Sequence, residues 1–345
     1  MQANPALHAS RDHAPRNFGR RHPIRRDCNR GRGYAVRGVS ASGLGVLWPY
    51  LLSALAIAVA LYTWTARRRG GSTKTALAGY FNKRIWWHRS AKVDYRYHLL
   101  NGMIWPTVFF PFLVTGAAIG VETSAVLEWA FGTVDSPLAV GTTATVAYSI
   151  AFFLAYDFGR YCGHSLQHNV PFLWQFHKVH HSAEVLTPAT SSRAHPVDLA
   201  VMAVCGNIGI GLATGPFLYL FGGEVGLVTF LKLHIALFAY QLVANLRHSH
   251  VWLSYGPVLG RLFISPAQHQ IHHSTNPAHF GKNRGFGLAI WDWIFGTLYV
   301  TGPEEKLEFG LGDGTEPRYR AAWRLYLVPF KDAFSYLRSR AGNAG

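Results

Sequence analysis

The chain has 345 residues, 49% of them hydrophobic and only 14% charged, against about 25% charged in an ordinary soluble protein. That balance excludes a disordered chain and points to a membrane protein. Three cysteines, Cys28, Cys162 and Cys205, are too few for a disulfide scaffold or a cysteine-rich zinc module. The net charge of +16 is concentrated in two places: residues 1–42 carry nine Arg against two acids, and residues 67–99 carry nine Lys and Arg against Asp94 alone. Basic blocks beside apolar runs are juxtamembrane charge rather than a nucleic-acid face, so no nucleic-acid partner is expected.

In chain order, residues 1–43 are Arg-rich without apolar periodicity and are expected to form a disordered basic tail. An organelle targeting peptide, or a translation start assigned too far upstream, would also explain them. Leu44–Ala66 is uncharged and mostly apolar, long enough to cross a bilayer, and Arg67, Arg68 and Arg69 stop it. Residues 70–99 are basic and aromatic, suited to a membrane surface. Further apolar runs are Leu100–Val121, with bends expected at Pro106 and Pro111, then Val140–Tyr156, Leu199–Gly222 and Val225–Leu246. The last two, separated by Gly223 and Glu224, predict a helical hairpin. Residues 122–139 contain acids and no Lys or Arg, and should face away from the cytoplasm; the basic 67–99 loop should face it. Counting onward places 157–198 and 247–345 in the cytoplasm. The Arg-rich tail then falls on the opposite side, so either Leu44–Ala66 stops short of a full span or the tail is absent from the mature protein.

Eighteen histidines stand out. They include H-S-L-Q-H (His164, His168), H-K-V-H-H (His177, His180, His181), R-H-S-H (His248, His250) and H-Q-I-H-H (His269, His272, His273). On a helix, residues i, i+3 and i+4 share a face, so each box aims two or more imidazoles at one point. Each imidazole offers one lone pair to a metal. Imidazole alone suits Zn, Cu, Fe or Ni. The eight histidines of the three long boxes exceed the coordination of one ion, so two metals are implied. The Glu plus Glu-x-x-His pattern of soluble di-iron bundles is absent.

These boxes, with T-S-S-R-A-H-P, S-P-A-Q-H-Q-I-H-H-S and the later K-N-R-G-F-G and W-D-W-I-F-G-T, resemble the fatty acid hydroxylase/sterol desaturase superfamily of integral-membrane di-iron oxygenases. The resemblance runs from about Asp157 through Val300. It implies two irons held by His164, His168, His177, His180, His181, His248, His269, His272 and His273. His250, where many members carry Asn, and His195 are implied as ligands or as supports of ligands, with a capping or surface role the alternative for His195. His279 is expected to support the loop after the last box. His234 and Lys232, inside an apolar run, are candidates to line a substrate cavity, with hydrogen bonding and snorkelling as the alternatives. Trp291, Trp293 and Phe295 are expected to be a packed or interfacial cluster. His8, His13, His22, His88 and His98 lack partner spacing.

The fold expected is all-α: a polytopic membrane helical bundle with a cytoplasmic helical cap carrying the histidine boxes. Its divisions are the tail (1–43), N-terminal transmembrane and interfacial helices (44–156), the His-box domain (157–300) and a C-terminal cytoplasmic tail (301–345). The function expected is O2-dependent hydroxylation or desaturation of a lipid C–H bond in a bacterial inner membrane. No dinucleotide-binding or haem-attachment motif is present, so electrons should come from a separate ferredoxin or cytochrome. Two alternatives use the same histidines: a zinc-dependent membrane hydrolase, for which Glu184 and Asp198 are the nearby carboxylates, and a metal-binding or transport protein.

Overall fold

A computed structural model of the chain describes residues 48–68, 70–109, 113–223, 225–231 and 233–342. The expected basic tail and Lys232 lie outside the described residues. The first helix, α1 (Trp48–Arg68), ends at the basic residues that close its apolar run. Two short helices follow, α2 (Thr73–Tyr80), capped by Ser72, and α3 (Lys83–Trp86), capped by Asn82. Helix α4 (Arg89–Ile104) passes into a π-helical turn at Trp105–Phe109. Then come α5 (Gly116–Phe131), α6 (Thr142–Asn169), α7 (Pro171–His181) and α8 (Pro196–Phe221). A two-stranded antiparallel hairpin, β1 (Thr229–Phe230) and β2 (Leu233–His234), leads into α9 (Ile235–Arg247). The remaining helices are α10 (Gly256–Leu259), α11 (Pro266–His272), α12 (Ile290–Ile294) and α13 (Ala322–Gly342).

The structure is mostly helical, as the sequence predicts. Among the described residues, two helices are long and apolar enough to cross a bilayer: Pro49–Arg68 within α1, and α8. Most of their side chains are not buried within the protein. Two expected spans differ. Leu100–Val121 is not one helix: α4 ends at Ile104, the π turn contains Pro106, and α5 begins only at Gly116. Proline lacks the amide donor and disrupts the preceding turn, which accounts for a break there. Val225–Leu246 is not one helix either. Its first part is the β hairpin, and the 13 residues of α9 reach only about 20 Å, short of the roughly 30 Å hydrocarbon core. The predicted tight helical hairpin between α8 and α9 is therefore replaced by a connection containing two strands.

Helix α8 lies against both α5 and α6. It runs antiparallel to α6: Tyr148 bonds Thr214 near one end, and Gln167 reaches Asp198 near the other. A side chain at Gly159 would strike the Cys205 carbonyl, and one at Gly209 the Ala155 carbonyl. Glycine at these two positions is what lets the helices touch backbone to backbone. This pairing brings the C-terminal end of α6 beside the N-terminal end of α8.

That end is clamped from outside. Arg193 is buried and its Nη1 forms a 2.7 Å ion pair with buried Asp94 of α4 and also donates to Ser90, while Nε donates to Ser182 and the Val179 carbonyl and Nη2 to the Tyr319 carbonyl. A buried ion pair persists only when its polar groups are satisfied in this way. Residues 301–342 close over the same region: Tyr319 and Leu325 join Val93, Tyr97 and Val179 in one apolar core, and α13 lies along α7.

Candidate metal centre

Helix α6 carries His164 and His168 one turn apart, and α7 carries His177, His180 and His181. His248 caps the C-terminus of α9; α11 supplies His269 and His272, with His273 as its C-cap. Ser265 and Gln268 form a capping box that starts α11 in register, and Pro266 sits in its first turn. These nine histidines gather into two groups. His164, His168, His177, His181 and His272 form one; His180, His248, His269 and His273 form the other. Within each group the available donor atoms lie within 4.8 Å of one another. The rings of His181 and His273 stack at 4.6 Å and join the groups.

The two H-x-x-H-H boxes divide between the groups in opposite proportion. The box on α7 gives its i and i+4 residues, His177 and His181, to the first group and His180 to the second. The box on α11 gives i and i+4, His269 and His273, to the second and His272 to the first. The sequence predicts that residues of one box share a face; the i+3 residue instead turns to the neighbouring group.

Hydrogen bonds on the far side of the rings set the tautomers. Nδ1 of His164 donates to the Arg284 carbonyl at 2.7 Å, that of His272 to the Lys282 carbonyl at 2.8 Å, and that of His180 to the Arg193 carbonyl at 3.3 Å. Nδ1 of His177 donates to Asp198 Oδ1 at 3.1 Å. Each of these rings then presents a bare Nε2 lone pair inward. Nε2 of His164 and Nε2 of His177 face each other at 3.2 Å. Two lone pairs at that distance repel unless a cation lies between them. The other Nε2 pairs run from 2.9 to 3.3 Å. Metal–nitrogen bonds of about 2.0–2.1 Å place neighbouring nitrogens roughly 2.9–3.4 Å apart in octahedral or tetrahedral geometry. The residues therefore fit a metal ion at each group. His269 is an exception: Arg247 donates to its Nδ1 at 2.8 Å, which leaves the ring's one proton on Nε2, so this ring binds a metal only after losing that proton or turning away from Arg247.

Burial, with neighbouring imidazoles that oppose a second positive charge, holds His164, His168, His181, His248, His269, His272 and His273 well below the ordinary imidazole range. His180 is lowered to about 4 in the same way. These eight rings are neutral at neutral pH, the state a metal requires.

Several residues other than histidine support the rings. Gln167 Nε2 donates to Asp198 Oδ1 and so fixes the carboxylate that holds His177. Asp292 accepts the Arg284 and Gly285 amides, both at 2.8 Å, and the Thr297 hydroxyl. It thereby pins the carbonyl that orients His164. Asp157 accepts the Gly287 and Leu288 amides and the Trp291 indole, tying α6 to the same loop. Of the two carboxylates near the boxes, Asp198 is thus engaged with His177, and Glu184 pairs with Arg89 and Arg320.

The other sequence candidates lie outside both groups. His195 caps α8, accepting the Val197 amide on Nδ1 and donating to the Tyr326 carbonyl from Nε2. Burial lowers it to about 4. His250 packs among Tyr62, Tyr80 and Trp86. His279 lies near Glu305 and against Tyr299 in the loop after the last box. His234 bonds the Ser149 carbonyl between Phe152 and Phe153. Trp291 and Phe295 pack on Phe158, while Trp293 is exposed. His88 caps α4, and His98 meets the Ser192 hydroxyl.

Residues 149–297 match the family model described as fatty acid hydroxylase. The chain is similar to the ornithine lipid hydroxylase OlsE of Rhizobium tropici, 30% identical over 211 residues, which are 56% of this chain and 57% of that protein. It is also similar to the alkylglycerol monooxygenases of Homo sapiens (30% identical over 159 residues) and Danio rerio (31% over 165 residues). Each of those matches covers 46% of this chain and 32% of the relative. The chain thus spans little more than half of the first relative's length and about a third of the others'. No solved structure matches.

Proposed function

We propose, from the match of residues 149–297 to the fatty acid hydroxylase family model, that the protein is a membrane-bound, O2-dependent oxidoreductase of that family that hydroxylates or desaturates a lipid C–H bond. Two irons would be held, one by His164, His168, His177, His181 and His272, the other by His180, His248, His269 and His273. The observation that carries this is the convergence of bare Nε2 atoms, above all the 3.2 Å approach of His164 and His177. Neither group contains a carboxylate or thiolate.

Iron bound there would supply O2 activation and hydrogen abstraction from an unactivated carbon. The chain's own residues do the rest. Asp198 and the Arg284, Lys282 and Arg193 carbonyls hold four rings in the tautomer that leaves Nε2 free. Arg193, Asp94 and α13 brace the elements that carry the rings. A cavity of about 160 Å³, bounded by histidines of both groups and by residues of α8 and α9, is the place for the reacting part of the substrate. His195 and His250 support the centre from a distance. Electrons come from a separate ferredoxin or cytochrome.

The relatives' names, ornithine lipid hydroxylase and alkylglycerol monooxygenase, support a lipid substrate. The exposed apolar faces of α1 and α8 support a membrane location, taken here as a bacterial inner membrane with the histidines toward the cytoplasm, in a polytopic bundle divided at about residues 43, 156 and 300. Comparative lipid mass spectrometry of cells with and without the protein tests the reaction. A product heavier by one oxygen indicates hydroxylation, and loss of two hydrogens indicates desaturation. An unchanged lipid profile, together with protein that holds no iron and consumes no O2, refutes the reading.

A further inference from the structure

We propose that the substrate carries a hydroxyl or amide group close to the carbon that is oxidised, and that Asn245, Gln241 and Gln167 bind that group. The inference rests on the lipid-oxygenase reading above and deepens it: oxidation occurs at the polar end of the lipid, not along a bare hydrocarbon chain.

Three carboxamide side chains line the cavity beside the histidines. Asn245 and Gln241 lie four residues apart on α9 and share one of its faces. Gln167 comes from α6. All three are buried, with 1%, 4% and 1% of their surface exposed respectively. Yet Asn245 makes no hydrogen bond through either Oδ1 or Nδ2, and Gln241 and Gln167 make none through Oε1. Gln167 Nε2 is already committed to Asp198. Buried polar atoms are nearly always paired, because an unpaired one forfeits its hydration without return. Four unpaired atoms on residues lining one cavity therefore point to a ligand that pairs them. Three are acceptors and one, Asn245 Nδ2, is a donor. A hydroxyl, which donates and accepts, or a secondary amide, with its N–H and C=O, complements that set. A methylene chain would leave every atom of it unpaired.

Size agrees with chemistry. At about 160 Å³ the cavity is comparable to one of about 150 Å³ that admits a benzene-sized group. It takes a fragment of a lipid, not a long chain. His164, His177, His180, His248 and His269 bound the same space, so a fragment held by the carboxamides lies beside both groups of histidines. Arg160, whose guanidinium lies 4.7 Å over Phe286 and whose Nε is unpaired, adds a further polar contact to that wall.

The test uses the iron-loaded full chain in detergent micelles, kept anaerobic so that no turnover occurs. Binding of hexadecylglycerol, N-hexadecanoyl ornithine and hexadecane is followed by quenching of tryptophan fluorescence. At least one of the two polar probes should bind about tenfold or more tightly than hexadecane, and the better of the two tells hydroxyl from amide. Asn245→Leu should reduce that preference about tenfold, leaving iron content and hexadecane binding in place. If Asn245→Leu does not fold, Gln241→Met on the same face serves, with a smaller loss. Hexadecane bound as tightly as both polar probes, no binding of either polar probe, or an undiminished preference in the variant would overturn the proposal. Because binding is read without O2, this result is independent of whether the protein oxygenates anything.

Discussion

The two histidine groups draw on the same pair of H-x-x-H-H boxes, yet they are built differently. The first has five rings, and three of them are braced at Nδ1 by neutral carbonyls or by the Asp198 carboxylate. The second has four, and one of these, His269, meets the Arg247 guanidinium instead. A carboxylate behind an imidazole raises its basicity and strengthens it as a donor; a cation there does the reverse. The first group should therefore bind its metal more tightly and the second more loosely, although the boxes look equivalent in sequence.

The largest effects should come from the rings themselves. His248→Ala leaves the second group with three donors, so iron should fall from about two to about one per chain and lipid oxidation should drop to background. His168→Ala leaves the first group with four donors and should retain more iron than His248→Ala, though it too should lose most activity. Metal analysis of the two variants side by side checks this, and equal iron loss would break the asymmetry.

Next in size is the brace. Asp198→Asn keeps the shape of the side chain but removes the charge behind His177. Losses of roughly 10–100-fold in metal affinity or activity are usual for such partners. The change should weaken the first group selectively, which titration with a competing chelator would resolve as one weakened site of two.

Acid should act on both groups. Unfolded imidazoles take up protons below about pH 6.5, whereas folded His180 resists until about 4. The folded metal-free protein therefore binds fewer protons than the unfolded chain across that window. Its stability should be full above about pH 6.5 and fall toward pH 4, with a slope approaching about 1.4 kcal/mol per pH unit for each such histidine. Thermal melting of metal-free protein against pH measures it, and a flat melting temperature across the window would show that the buried rings titrate normally.

The smallest effects belong to histidines outside both groups. His88→Ala removes the cap of α4 and should cost about 0.5–2 kcal/mol with iron content unchanged. His250→Asn should likewise keep its iron. Loss of iron in either variant, measured on folded protein, would extend the centre beyond the nine rings.

Much of the centre was legible in the sequence because helical spacing leaves a local mark: every ring in the two groups lies in one of the short histidine motifs. The partition between groups was not, because i, i+3 and i+4 positions diverge only once α6, α9 and α11 are packed around α7. The sequence offers Asp198 as a nearby carboxylate but not as the brace of His177, and it marks neither Gln167 nor Asn245, since their partners lie on other elements or in the cavity between them. In the fold, the apolar runs that became α1 and α8 were read correctly. The runs 100–121 and 225–246 misled because composition records apolarity but not continuity, and a π turn with Pro106 and a β hairpin interrupt them.

The central claim is that nine histidines form two all-nitrogen metal sites that hold iron. Metal analysis combined with X-ray absorption at the iron edge, on anaerobically prepared protein, tests it most directly. The account predicts about two irons per chain with a nitrogen-dominated inner shell, as the absence of carboxylate and thiolate from both groups requires. Stoichiometric zinc without iron, or a single metal per chain, would contradict it.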